Sequence, residues 1–369
     1  MKAGRALAAG IVAAVTMALT TPRAAQAETL NIYSWADYIP AEVLAAFTKE
    51  TGIDVEVTPY DSVEIPETKL LTGSSGFDLV MTAAFQVPQL ITAQALMELD
   101  HGRIPNITNL DPAFLKEKLS KIDDGTRFSI PYDWGLTTIA VDVDKVKAIL
   151  GDDAPLDTLS LLFDPAYAAK LQSCGIGMLD SASDVMGLAM LYNGVQDLFH
   201  ATDADLEHAA ATISAVRPYV KYFDNSRYSQ DLATGELCIS MAWSSDVVRA
   251  GFDIADTGHP ANLEVILGRE GALLWADHLV VPKDAPHPDA ALAFLDFLMR
   301  GESAGAVTNT ILVATPNIKG RAFVAPPLLS NQGIFPPQGW MSKLSPADTF
   351  GADLQRSMTR FYTKAKTGT

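Results

Sequence analysis

The chain has 369 residues, 44 of them acidic against 27 basic, giving a formal net charge of −17 with 48% hydrophobic residues. That length exceeds one typical core and points to two lobes, and the acidic balance argues against nucleic acid and anionic membranes as partners. Two cysteines without a Cys-x-x-Cys, and six histidines scattered without ligand spacing, give no metal site.

Residues 1–27 read as a secretory signal peptide. Lys2 and Arg5 form a basic start, Ala6 to Thr20 is almost wholly small or apolar, and Ala25-Gln26-Ala27 is a small-residue cleavage site. The mature chain is expected to begin at Glu28. Removing Lys2, Arg5 and Arg23 leaves 24 basic residues against 44 acidic ones, a net charge of −20. No Cys follows the cut, so a lipid anchor is not expected, and no other apolar run approaches a membrane span. The expected product is exported and does not insert into a membrane.

From there short extended runs alternate with helical ones. NIYSWADYIP at 31–40 places Leu30, Ile32 and Ser34 on one face and Asn31, Tyr33 and Trp35 on the other, as in a strand. Pro40 then opens a helix that carries Glu42 in its first turn and stops at Gly52. Trp35, Asp37 and Tyr38 therefore follow the carboxyl end of a strand, where open α/β sheets place ligands. An aromatic face beside a carboxylate suits an organic cation; a buried Trp and a helix-capping Asp are the alternative. Val55–Thr58 and Phe77–Met81 read as strands, Pro66–Leu71 and Val87–Leu96 as helices, and Gly73-Ser-Ser-Gly76 as a turn. This βαβα alternation predicts a largely parallel sheet covered on both faces.

At Ile130 a long extended apolar run, IPYDWGLTTIAVDVDKV, marks the crossing from the first lobe into the second, ending in a helix near Lys145. Residues 271–282, GALLWADHLVVP, read as a buried strand returning to the first lobe's sheet, followed by an amphipathic helix over Asp289–Arg300. A Pro-rich stretch between Pro316 and Pro346 and a helix over Asp348–Lys366 close the chain. The expected division is 28–134 with 253–303 in lobe 1, and 135–252 with 304–369 in lobe 2. Cys174 and Cys238 lie in a chain bound for a disulfide-permissive compartment; they form one bridge, worth roughly 4 kcal/mol in the chain-entropy model, or remain two buried thiols.

No P-loop, G-x-G-x-x-G, G-x-S-x-G or H-E-x-x-H pattern occurs. Asp142 and Asp144 lack the further carboxylates and Gly of a calcium loop. Carboxylates abound, but nothing in the sequence marks two as the catalytic pair of a hydrolase.

Six stretches taken together resemble the periplasmic substrate-binding proteins of polyamine ABC transporters, the putrescine and spermidine binders. They are NIYSWADYI (31–39), TGSSGFDLV (72–80), IPYDWGLTTIAVDVDKVKAILG (130–151), LQSCGIGMLDSASDV (171–185), YFDNSRYSQDLATGELCISMAWSSDV (222–247) and GREGALLWADHLVVP (268–282). They run in order along the mature chain and include both cysteines. The resemblance implies a periplasmic-binding-protein-like fold: two α/β lobes with mainly parallel sheets, joined by a crossing-strand hinge and closing on a ligand in the cleft. It implies a ligand site built from Trp35, Asp37, Tyr38, Asp184, Trp243, Asp246, Trp275 and Asp277. It implies a non-enzymatic periplasmic receptor, without cofactor or metal, that delivers putrescine or spermidine to an inner-membrane ABC permease. Monomer is the expected state, since each lobe must move freely.

Three positions depart from the family pattern: Ala36 and Val313 stand where relatives often carry hydroxyl groups, and MTAAF after FDLV leaves Thr82 as the substitute for a serine. Asp184 occupies a position that is Glu in many relatives. These departures bear on which amine binds more than on its being a cation. Another cationic amine is the alternative ligand, and an exported carboxylate-based hydrolase the alternative class.

Overall fold

The computed structural model describes residues 29–62, 64–257, 261–347 and 352–368; the expected signal peptide lies outside them. Ten strands form one sheet: β1 (Thr29–Trp35), β2 (Asp54–Tyr60), β3 (Leu79–Ala83), β4 (Ser129–Asp142), β5 (Ile176–Met178), β6 (Tyr222–Phe223), β7 (Ile239–Trp243), β8 (Leu263–Ile266), β9 (Ala272–Val280) and β10 (Leu344–Pro346). Their order is β2-β1-β3-β9-β4-β7-β5-β6, with β10 beside β9 and β8 beside β4. The two outer portions are parallel, β2-β1-β3 in one lobe and β7-β5-β6 in the other. The strands between them run antiparallel: β3 with β9, and β4 with β9, β7 and β8. The parallel alternation read from the sequence thus holds within each lobe, and the crossing strands join the two.

β4 carries the architecture. All 14 of its residues are buried; its first part pairs with β9 from Ser129 to Thr137, and its second with β7 and β8 from Thr137 to Asp142. A strand buried on both faces has no use for alternation, which is why this stretch reads as continuous and apolar.

Around β1 to β3 two hydrophobic clusters cover opposite faces of the sheet. Leu30, Ile32, Leu79 and Met81 pack with the helix Pro288–Leu298, while Tyr33 and Val80 pack with Trp134, Leu136 and Leu274. A third cluster fills the second lobe, from Ile139 through Met186 and Ile239 to Val265. The helix Ala41–Thr51 follows Pro40 and ends at Gly52, whose left-handed φ of 76° lets its N–H donate to the Thr48 carbonyl at 2.8 Å. Gly tolerates that conformation without strain.

Asp78 ties the first lobe together. Fully buried ahead of β3, it accepts from the backbone and side-chain nitrogens of Asn31 at 2.8 and 3.2 Å and from the backbone N–H of His287 at 2.5 Å. It thereby joins β1 to the start of the helix that follows β9. In the second lobe Cys174 and Cys238 form a disulfide spanning 64 residues, linking the segment before β5 to the start of β7.

Residues 301–346 bury Val307, Ile311, Val313, Leu328, Ile334 and Leu344 in the two clusters around β1 to β3. The helix Ala352–Thr367 instead lies on the second lobe's helices Ala182–Tyr192 and Asp203–Val216, with Met358 and Tyr362 buried there. The Tyr362 hydroxyl donates to Asp180 at 2.8 Å.

Phe47 is fully buried and meets Phe294 edge-on, with ring centroids 4.9 Å apart. Phe47→Ala is expected to cost about 3–5 kcal/mol, read as a lowered urea midpoint with an unchanged slope; a loss under about 1 kcal/mol would show that this face collapses around the gap.

Candidate functional site

The crossing strands make the floor of a cleft of about 360 Å³. Directly opposed residues of an antiparallel pair project from the same face, and the β4–β9 register sets Asp133 against Asp277 and Gly135 against Trp275. Gly135 is required at its position: a Cβ there would fall 2.2 Å from Trp275 Cζ2, so only glycine lets the indole lie flat across β4. Trp275 and Asp277 line the cleft.

Four further elements close around this floor. The first is the turn after β1. Trp35 packs at 4.4 Å from the Tyr60 ring, and its indole hydrogen-bonds toward Asp277. Tyr132 on β4 donates its hydroxyl to the Tyr38 carbonyl at 2.9 Å, and the Tyr38 hydroxyl lies against both Asp277 and Asp133. The second is the segment after β3, which contributes Ala83 and Phe85. The third is the N-terminus of the helix Ala182–Tyr192, with Asp184 in its first turn and Trp243 at the end of β7 beside it. Ser181 caps this helix by accepting from the Asp184 N–H at 3.3 Å, and Thr137 of β4 donates to Asp184 Oδ1 at 2.7 Å. The fourth is the C-terminal helix, through Gln355, Met358 and Thr359.

Of the eight residues expected at a ligand site, the cleft therefore brings together Trp275, Asp277, Asp184 and Trp243, with Trp35 and Tyr38 against Asp277. Asp37 is exposed in the turn with a left-handed φ of 54°, a conformation that Asp and Asn adopt more readily than other non-glycine residues. Asp246 lines a neighbouring groove of about 550 Å³ between the helices Tyr228–Thr234 and Ser244–Thr257. It accepts from the Tyr228 hydroxyl at 2.5 Å, and the same hydroxyl accepts from the Trp243 backbone N–H at 3.2 Å. Tyr228 thus couples Asp246 to the cleft's Trp243. Thr82 is buried and donates to Gln86 at 2.6 Å, and Val313 is a core residue.

Several lining residues escaped the sequence reading. Glu64, Phe85 and the C-terminal helix carry no local signal and are gathered only by the fold. Asp133 did carry one, an acid inside an otherwise apolar crossing strand. It is fully buried, and neither of its carboxylate oxygens has a hydrogen-bond partner of normal geometry.

The electrostatics of the cleft are one-sided. Burial raises the Asp184 carboxyl above its ordinary value against hydrogen bonds from Ser181, Thr137 and Trp243. Burial likewise raises Asp246, opposed by its bond from Tyr228. Asp277 is pushed up to about 7 by burial, although Tyr38 and Trp35 donate to it. Asp133 stands well above the carboxylate range, through burial first and the neighbouring Asp277 charge second. Among the groups acting on Asp133, Asp184 and Asp277 there is no Lys, Arg or His. The arrangement can do one thing well: hold a cation that supplies the missing charge, with indole faces along its length.

A carboxyl whose pKa rises on folding holds its proton more tightly folded than unfolded. Its ionisation therefore removes stability as pH climbs from about 4, the unfolded value, to about 7 for Asp277. The ligand-free protein is expected to melt at a lower temperature at about pH 7 than at about pH 5. Asp277→Asn should flatten that dependence in thermal unfolding; an equal slope in the variant would place the effect elsewhere.

Residues 42–322 match the family model of the bacterial extracellular solute-binding proteins. A putrescine/agmatine-binding protein of Pseudomonas aeruginosa is 35% identical over 368 residues, covering 100% of both chains. The putrescine-binding periplasmic protein PotF of Escherichia coli is 36% identical over 362 residues, 97% of each chain. Among solved structures, the spermidine/putrescine ABC transporter substrate-binding protein PotD of Streptococcus pneumoniae superposes with a TM-score of 0.79 at 25% identity, covering 92% of this chain and 99% of that one.

Proposed function

This chain belongs to the bacterial extracellular solute-binding proteins, and we propose that it captures a polyamine of the putrescine or spermidine class in the periplasm and hands it to an inner-membrane ABC permease. The observation that carries this reading is the cleft's pair of carboxyls, half-buried Asp184 and buried Asp277, without basic partners and flanked by Trp35, Trp243 and Trp275. The names of the full-length relatives support it. Among the described residues no helix is long and apolar enough to cross a membrane.

A polyamine carries ammonium groups joined by methylenes. Burying an ammonium without a carboxylate costs several kcal/mol, so an acid is needed for each charge, and an indole face over a desolvated ammonium adds about 2 kcal/mol. In this reading Asp277 takes one ammonium, with Tyr38 and Trp35 orienting its carboxylate. Asp184, held by Thr137, takes the other from the second lobe. Trp275 and Trp243 cover the methylenes. Asp246 and Asp37 join the ligand only as the lobes close: Asp246 stands one helical turn beyond Trp243, and Asp37 adjoins Tyr38. The closing bodies are residues 28–134 with 253–346, and 135–252 with 347–369. The packing of residues 301–346 supports assigning that stretch to the first lobe rather than the second. The receptor acts as a monomer, without turnover.

Ala36, Thr82 and Val313 favour a related amine as the second reading. Ala36 has no hydroxyl, Thr82 is engaged with Gln86 and Val313 is buried in the core, so none of the three supplies a polar contact to the cleft. Calorimetry of ligand-stripped protein with putrescine, cadaverine, spermidine and agmatine, with arginine and a neutral sugar as controls, tests both. Micromolar binding, about −8 kcal/mol, is expected for at least one polyamine. Asp277→Asn should weaken it by roughly 30-fold or more, the cost of leaving a buried cation unpaired. Binding of no amine would overturn the reading.

A further inference from the structure

Asp133 has no role in the site as read so far. It sits on β4 directly opposite Asp277 of β9, so the two carboxyls leave the sheet on the same side. Its side chain is fully buried; the Tyr38 hydroxyl and the Asp277 backbone lie against it, but neither carboxylate oxygen has a partner of normal geometry. A buried carboxylate normally accepts several hydrogen bonds, and a pair of acids at such spacing cannot both ionise without a cation nearby. The titratable groups facing the pair are Tyr38 from the turn after β1, Tyr132 from β4 and Tyr60 from β2. None of these is a cation. Asp277 also lines the open cleft, so a ligand's charged end that reaches Asp277 comes within the field of Asp133.

We infer that Asp133 is a ligand-binding residue: with Asp277 it forms a two-carboxyl subsite that holds one proton while the cleft is empty and exchanges it for the ligand's cationic group. No covalent bond changes. The proton leaves to buffer, the ammonium takes its place, and both acids become carboxylates. The ligand class is a primary amine or another compact multi-donor cation, which can present donors to two acids at once. Capture is therefore coupled to proton release, and affinity falls as pH falls, by up to tenfold per pH unit where the empty site is protonated. The inference rests on the amine reading of the cleft but is separable from it by experiment.

The test is calorimetric titration with putrescine at about pH 8.5, above the range to which burial alone lifts Asp277, in two buffers of different protonation enthalpy, which counts protons exchanged per ligand bound. The wild-type protein is expected to release close to one proton per putrescine. Asp133→Asn leaves Asp277 alone, ionised in the empty cleft at that pH because burial holds it only up to about 7, and should release almost none. Binding without proton release by the wild type, or equal release by Asp133→Asn, overturns the inference while leaving the amine reading intact. Proton uptake by the ligand-free protein supplies a readout that needs no ligand. A difference titration of wild type against Asp133→Asn should show one proton still bound above about pH 8 in the wild type only. Coincident titration curves overturn the shared proton even if no amine binds.

Discussion

The antiparallel pairing of β4 with β9 is the constraint on which the rest of this molecule depends. One register sets Asp133 beside Asp277 and Gly135 beneath Trp275, and the far end of β4 carries Thr137 to the second lobe's Asp184. A slip of one residue would turn every one of these side chains to the opposite face. The register is guarded on both sides, because β4 is buried along its whole length and its two parts are claimed by different partners. Floor and hinge are thus the same piece of chain.

That economy has an electrostatic cost. Four aspartates, Asp133, Asp184, Asp246 and Asp277, all have carboxyls raised by burial. The surrounding fold tolerates them because stability is secured away from the cleft. Asp78 shows the contrast: equally buried, it is satisfied by Asn31 and His287 and serves only to hold β1, β3 and the helix Pro288–Leu298 together. The disulfide and the three hydrophobic clusters work to the same end. Asp184 and Asp277 also have hydrogen-bond donors, but no basic group acts on either of them.

The aromatic side chains answer to the same logic. The Trp35 ring packs against Tyr60 and the Trp243 ring meets Tyr228 edge-on, with centroids 6.4 Å apart, each on the lobe that carries it. Trp275 lies on the strand itself, over a glycine. The indole faces are thereby positioned before any ligand arrives, which reduces the ordering entropy that binding must overcome.

Much of this was legible in the residues. Alternation in NIYSW, the proline and glycine that bracket the following helix, and the unbroken apolar run after Ile130 each follow from backbone sterics and burial acting over a few residues. Trp275, Asp277, Asp184 and Trp243 were named through stretches that resemble the polyamine binders, and the fold gathers all four in one cleft. Local pattern could not decide which acids would share a space. Asp37 lies two residues from Trp35 yet is exposed, whereas Asp133 lies 144 positions before Asp277 and stands opposite it. Nor could it bring Phe85, Glu64 and the C-terminal helix to the cleft, since their own segments give no sign of it. The sequence by itself determined the class of fold, because periodicity acts locally, while the cationic character of the ligand was carried by the resemblance of its stretches to the polyamine binders. The tertiary structure decided which carboxyls lose their water together, because desolvation and like-charge repulsion depend on distances that only the paired strands set.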